Sequence, residues 1–184
     1  MICDLRCRSA DVNHRHNRLR DVIFDFCVKA QLAPLKEPPN LIPDKMDRPA
    51  DIAIPEYRDG PKLLALDVAV TDSLRDDYVK VVSRDPSFSA CEDYASTVKV
   101  PRYYADLQKL GNLIFKPIVA EALGGWNANA TSFFNYIVEC LVKRTHDAVF
   151  SIVLNHFYQK IGVYLQRYNA KMLLARSQMS YYGF

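Results

Sequence analysis

Glycine is scarce, six in 184 residues, and no G-x-x-x-x-G-K run occurs, which excludes a nucleotide-binding phosphate loop. No apolar run approaches the ~18 residues of a membrane span. Charge of one sign is also lacking: 24 Lys and Arg against 21 Asp and Glu leave +3, too little to announce a nucleic-acid binder. The opening MICDLRCRS turns polar within four residues, so no secretory leader is expected and the chain is expected inside the cell. Its five cysteines, an odd number at irregular spacing, form no disulfide framework. What is present is the balance of a folded protein, 49% hydrophobic and 24% charged, with length enough for one domain and a real core.

Periodicity places the elements. Residues 14–33 read as an amphipathic helix with Leu19, Val22, Ile23, Phe26, Cys27 and Ala30 on one face, Asn13 as N-cap and Pro34 as its end. The Pro-rich stretch 34–49 reads as a loop or short edge strand. Asp51–Tyr57 and Lys62–Thr71 read as two antiparallel strands around a Tyr57–Pro61 turn, the second apolar enough to be buried on both faces. Residues 73–85 are charged surface, and 87–110 are mostly helical, with Ala90, Tyr94, Val98 and Leu107 as apolar positions, a kink at Pro101 and a stop at Gly111. Leu113–Glu121 is a further strand, followed by a Gly124-Gly125 turn and helices at 129–145 and 147–176. The last helix carries Phe150, Val153, Leu154, Phe157, Ile161, Tyr164, Leu165 and Tyr168 on one stripe, a core or dimer face. This order is α/β: one domain with a helical C-terminal extension.

Two features point to chemistry. Arg6, Arg8, Arg15, Arg18 and Arg20, with His14 and His16, form a basic stretch interleaved by Asp4, Asp11 and Asp21; it is either a phosphate-binding patch or a solvated helix face. Asp51 opens one strand and Asp67 sits inside the next. A lone carboxylate in an apolar strand costs several kcal/mol, about what a partner must repay. Paired strands bring two such carboxylates close enough to share a hard divalent cation through oxygen ligands. The other reading is that Asp67 bonds a nearby Arg or Lys inside the fold.

Arg48-Pro49-Ala50-Asp51, then fifteen residues, then Asp67-Val68-Ala69-Val70, resembles the PD-(D/E)xK nuclease pattern, and more closely the C-terminal restriction-like endonuclease of eukaryotic non-LTR retroelement reverse-transcriptase proteins. The blocks around Arg15-His16-Asn17, Glu37, Asp51, Asp67, Lys99 with Tyr103, and Phe115–Glu121 stand in the same order, over residues 14–126. The resemblance implies a restriction-endonuclease-like core (helix, short mixed sheet, helix, strand) at 14–126, a helical extension at 127–184, and a segment at 1–13 that is a remnant of a zinc knuckle. It implies Asp51 and Asp67 as ligands of Mg²⁺ or Mn²⁺, with the Val68 carbonyl completing the shell and Glu37 as a further acid. Ala69 occupies the position where the common form has lysine, and Lys99 fits the slot to which relatives move it, with Lys109 as a substitute. It further implies DNA as substrate, held by Arg15, Arg18, Arg20 and Tyr103, a reverse-transcriptase polypeptide as partner, and a nuclear location. Lys99 has an ordinary reading too, as an exposed helix lysine.

Other constellations are thinner. Cys3, Cys7, His14 and His16 have a zinc inventory but no familiar spacing. His146 and His156 read as core or surface histidines. Cys27, Cys91 and Cys140 lack a base partner in sequence. The Tyr181–Phe184 end and the C-terminal helices leave a surface for a homodimer. The expectation is therefore a magnesium-dependent DNA endonuclease; the rivals are a catalytically silent nuclease-fold module for nucleic-acid binding or assembly, favoured by Ala69 and Pro101, and a zinc-stabilised interaction domain.

Overall fold

The computed structural model describes residues 10–42, 49–145 and 148–181. Cys3, Cys7, Arg6, Arg8, Arg48, His146 and the last three residues lie outside the described residues. Helix α1 (Ala10–Lys29) is followed by strand β1 (Leu35–Lys36), β2 (Ile52–Ile54) and β3 (Leu63–Thr71). Helices α2 (Asp76–Val82), α3 (Ala90–Tyr94) and α4 (Val100–Leu107) lead to β4 (Leu113–Glu121), and α5 (Ala128–Arg144) and α6 (Phe150–Tyr181) complete the chain. The four strands form one sheet in chain order, antiparallel across β1–β2–β3 and parallel between β3 and β4. The α/β expectation holds.

β3 and β4 form where expected, β3 because it is apolar on both faces, whereas β2 covers only Ile52–Ile54 of the expected Asp51–Tyr57, with Tyr57 in a tight helical turn. Leu64, Leu66 and Val68 enter the main core with α1, α5 and α6, while Ala69, with opposite parity, packs on Cys91 and Ala95 of the other layer. Helices form at Ala128–Arg144 and Phe150–Tyr181, and they share their core with the preceding elements: Phe133, Phe134, Phe157, Ile161 and Leu165 are fully buried beside Ile23, Ile52 and Ile118.

Several details differ. Asn13 lies inside α1 instead of capping it. The helix ends at Lys29, before Pro34, because Gln31 and Ala33 take left-handed conformations (φ 55° and 46°) and the Leu32 N–H reaches back to the Cys27 carbonyl at 3.0 Å. The charged segment 73–85 holds a short helix, exposed except at Tyr78. Val98 and Phe150, expected on apolar faces, are 43% and 36% exposed. Pro101 does not divide the helical segment: residues Ala95–Lys99 open into a π-turn just before it, and the proline, which has no N–H to donate, sits in the first turn of α4.

Asn127 ties the sheet to α5. Its buried side chain accepts from the Val119 N–H at 2.9 Å and, as N-cap, from Ala130, and donates to the Pro117 carbonyl at 3.0 Å. Removing it strands two buried backbone groups and a helix terminus. Asn127→Ala is expected to destabilise by about 2–3 kcal/mol, lowering the melting temperature by roughly 4–12 °C; a calorimetric shift below about 1 °C would refute the assignment.

Candidate functional site

β3 is longer than its partner. It pairs with β4 along all nine residues but with β2 only at Leu64, Ala65 and Leu66. Asp51 stands where β2 runs out. Its backbone N–H donates to the Leu66 carbonyl at 2.8 Å and its Oδ2 accepts the Val68 N–H at 2.7 Å. These two groups flank Asp67 on the β2 side of the strand. The Asp51 carboxylate thus replaces a missing ladder carbonyl, and is brought beside Asp67 by doing so.

Asp67 projects toward the α3–α4 layer, 7% exposed. Lys99, at the end of the π-turn, donates to its Oδ1 at 3.0 Å, and lies 2.8 Å from Oδ2. The second contact satisfies ion-pair distance but not hydrogen-bond geometry, so Oδ2 is a buried oxygen with no hydrogen-bond partner among the described residues. Burial raises the Asp67 pKa above its ordinary value; Lys99 opposes the rise, Asp51 adds to it, and His16 lowers it. Ala69 explains the position of the lysine: it is covered by Cys91 and Ala95, leaving no room for a longer side chain there, and the cation arrives from the helix.

On the other side of β3, α1 contributes His16, whose Nε2 lies 3.0 Å from Asp51 Oδ1. His16 thus pairs with Asp51 and Lys99 with Asp67, and the Asp51 charge acts on Asp67. His16 and Lys99, with Arg15, Val68, Ala69 and Tyr94, line a cleft of about 220 Å³; the two carboxylates do not line it. An adjoining cleft of about 260 Å³ shares Arg15, Val70 and Tyr94 and adds Asp72 and Arg75. A larger concavity, about 670 Å³, lies elsewhere, between Arg58, Trp126 and α5, and contains none of these four residues.

Of the remaining expected residues, Val68 touches Asp51 and Arg15 lines the cleft, while most of the others lie apart from these four side chains. Glu37 is corrected: its carboxylate bonds Arg20, and only its backbone N–H touches Asp51, at the carbonyl, 2.8 Å away. Arg20 is buried between Glu37 and Asp21, and Arg15 is buried with Nη1 on Asn169 of α6 at 2.8 Å; neither presents a guanidinium to a phosphate from the surface. Arg18 is exposed and donates to the Tyr168 hydroxyl at 3.2 Å. Tyr103 is buried against Ile42, Leu107 and Phe115, which removes it from any surface contact. Val68 turns its N–H, and by strand geometry its carbonyl, to the Asp51 side. Lys109 is exposed in the turn before β4. Buried Cys27 and Cys91 have thiol pKa values pushed up by burial, so neither is an activated nucleophile. His156 is exposed on α6. No group of three or more His, Cys, Asp or Glu able to hold a metal occurs among the described residues.

His16 is the site residue that reasoning from the residues alone did not place. The sequence shows it in the basic stretch and in the zinc inventory; its meeting with Asp51 is set by how α1 crosses the sheet. No family model, no curated protein and no solved structure matches this chain.

The raised pKa of Asp67 has a consequence for stability. Between its ordinary value of 3.8 and the raised folded value, the folded state holds a proton that the unfolded state has released. The contribution of Asp67 is fully present below 3.8 and is lost as pH rises through the folded value. Denaturant titrations across that interval should show the wild type losing stability with rising pH relative to Asp67→Asn; parallel curves would show that Asp67 has an ordinary pKa.

Proposed function

We propose that this chain is a restriction-like, metal-dependent DNA endonuclease domain related to those of retroelement proteins. The reading rests on one observation: Asp51 bonds the backbone N–H next to Asp67 and Lys99 bonds the Asp67 carboxylate, these residues lying 16 and 32 apart along the chain, where β2 leaves β3 unpaired. The element order, a helix, a short mixed sheet, helices and a parallel strand, agrees with it.

The donor set suits a hard divalent cation. Two carboxylates, one with a buried oxygen lacking a hydrogen-bond partner, are what Mg²⁺ or Mn²⁺ takes from a protein when water fills its remaining positions. Such an ion, when bound, acidifies water and neutralises phosphate charge. Lys99 would turn its ammonium from Asp67 Oδ1 toward the attacking water or a phosphoryl oxygen. His16, through Asp51 Oδ1, would fix the orientation of that carboxylate. The adjoining clefts, with Arg75 and Lys99 in their walls, would take the strand to be cut. Hydrolysis joins water oxygen to phosphorus and breaks one P–O ester bond. DNA as substrate, a reverse-transcriptase polypeptide as partner and a nuclear setting belong to this same proposal.

Relaxation of supercoiled plasmid in Mg²⁺ tests it. Lys99→Ala and Asp67→Asn are expected to slow nicking by about 100-fold or more, with circular dichroism confirming that each variant folds. Wild-type rates in both would remove these residues from the reaction.

A second reading, a catalytically silent nuclease-fold module, is favoured by a specific observation: both carboxylates already have partners within the chain, Asp67 in Lys99 and Asp51 in His16 and the Val68 N–H. Thermal melts separate the two. A working site gains stability from saturating Mn²⁺, about 2.7 kcal/mol at one hundred times Kd, and Asp67→Asn abolishes the gain. A silent module melts at the same temperature with and without the ion.

A further inference from the structure

The net positive charge of this chain resides on one helix. α6 carries four of the 24 lysines and arginines and none of the 21 acids, so the other residues together fall one charge short of neutral. Lys160, Arg167 and Lys171 follow one another at offsets of seven and four, which places them on one stripe about 16 Å long at 1.5 Å per residue. Along the seam with α1, cations rest on aromatic groups rather than on carboxylates. Lys160 and Lys29 lie 5.4 and 5.3 Å from the Phe26 ring, Lys171 lies 4.9 Å from the Tyr168 ring, and Arg18 donates to the Tyr168 hydroxyl. A cation held on a ring keeps its whole charge and its outward N–H donors. Of the nearby acids on α1, Asp21 is taken by Arg20 and Lys36, and Asp25 is exposed.

We propose that the exposed face of α6, with Arg18 and Lys29 beside it, is a docking surface for a nucleic-acid backbone, bound without regard to base sequence. Charge complementarity selects this occupant. Two copies of an acid-free helix repel each other across an interface. An anionic membrane needs a continuous apolar ridge with aromatic anchors. Here Ile152, Val163 and Leu174 are exposed at eleven-residue intervals, but His156, Gln159 and Arg167 interrupt them, and no aromatic residue falls on that ridge. Phosphodiester chains instead reward a row of outward cations with tyrosines between them. The surface is separate from the carboxylate site: Arg18 and His16 leave α1 about 200° apart. The inference therefore stands whether or not the nuclease reading does.

The test is fluorescence anisotropy of the full chain with a short DNA duplex of mixed sequence, in EDTA, so that neither cleavage nor a metal enters. Each phosphate contact contributes about 0.9 to the slope of log affinity against log salt. Lys160→Gln/Arg167→Gln/Lys171→Gln is expected to weaken binding at low salt by about tenfold or more and to reduce the slope by about 2.7. A control, Lys62→Gln/Lys80→Gln/Arg84→Gln, removes equal charge from exposed positions off this helix and is expected to change binding by less than about twofold. Equal losses in both variants, or none in the first, overturn the proposal. So does α6-dependent binding to phosphatidylserine vesicles with DNA affinity unchanged. Duplex RNA and single-stranded probes titrated in parallel identify which nucleic acid is preferred, and a preference for any of them that the α6 variant abolishes supports the surface. If the triple variant melts early, Arg167→Gln/Lys171→Gln leaves Lys160 on Phe26 and carries the same test, with a slope change of about 1.8.

Discussion

A carboxylate on a strand covered by helices on both faces must find a cation, and much of the architecture around Asp67 follows from how that cation arrives. Lys99 comes from across the α3–α4 layer, at the end of a π-turn that opens where Pro101 deprives the helix of a donor. Ala69 keeps that layer close to the sheet. The pair is buried but incompletely satisfied, with one carboxylate oxygen lacking hydrogen-bond geometry to any donor. An unshared buried oxygen is expensive in a purely structural pair and useful in a site that exchanges partners. That asymmetry is why the nuclease proposal and the silent-module reading make opposite statements about the same four side chains.

The second constraint is the early end of β2. A ladder that continued past Leu66 would pair residues 67–70 and close the edge of β3. Asp51 closes it only in part, lending a side-chain oxygen to the Val68 N–H, and α1 covers the gap with His16 and Arg15. The clefts lie along this unfinished edge. A concave, polar pocket next to two carboxylates is thus a product of strand length more than of any special loop.

The long terminal helix has a double role. Its inward face supplies Phe157, Ile161 and Leu165 to the main core, and its Asn169 binds both Arg15 of α1 and the Ala122 carbonyl beyond β4, closing the carboxyl end of the sheet. Its outward face has no acid, and the cations along the seam rest on Phe26 and Tyr168. In the basic stretch near the N-terminus Arg15 and Arg20 are buried and Arg18 is exposed, while α6 adds exposed Arg167 and Lys171 towards the other end of the chain.

The sequence by itself determined the strands and most helices. The near-continuous apolar runs Leu63–Thr71 and Leu113–Glu121 and the three- and four-residue spacing in α1 are local patterns, and local backbone geometry answers to them. It also placed Asp51, Asp67 and Lys99 as the residues to watch, through their setting and through resemblance. It did not determine that Glu37 would turn to Arg20, that Tyr103 would be buried against Phe115, or that His16 would meet Asp51. Those outcomes were decided by the tertiary structure, because they depend on how a helix crosses a sheet and which acid lies within reach. Arg15 and Asn169, 154 residues apart, can meet only once the whole core has closed, and no spacing along the chain records such a contact.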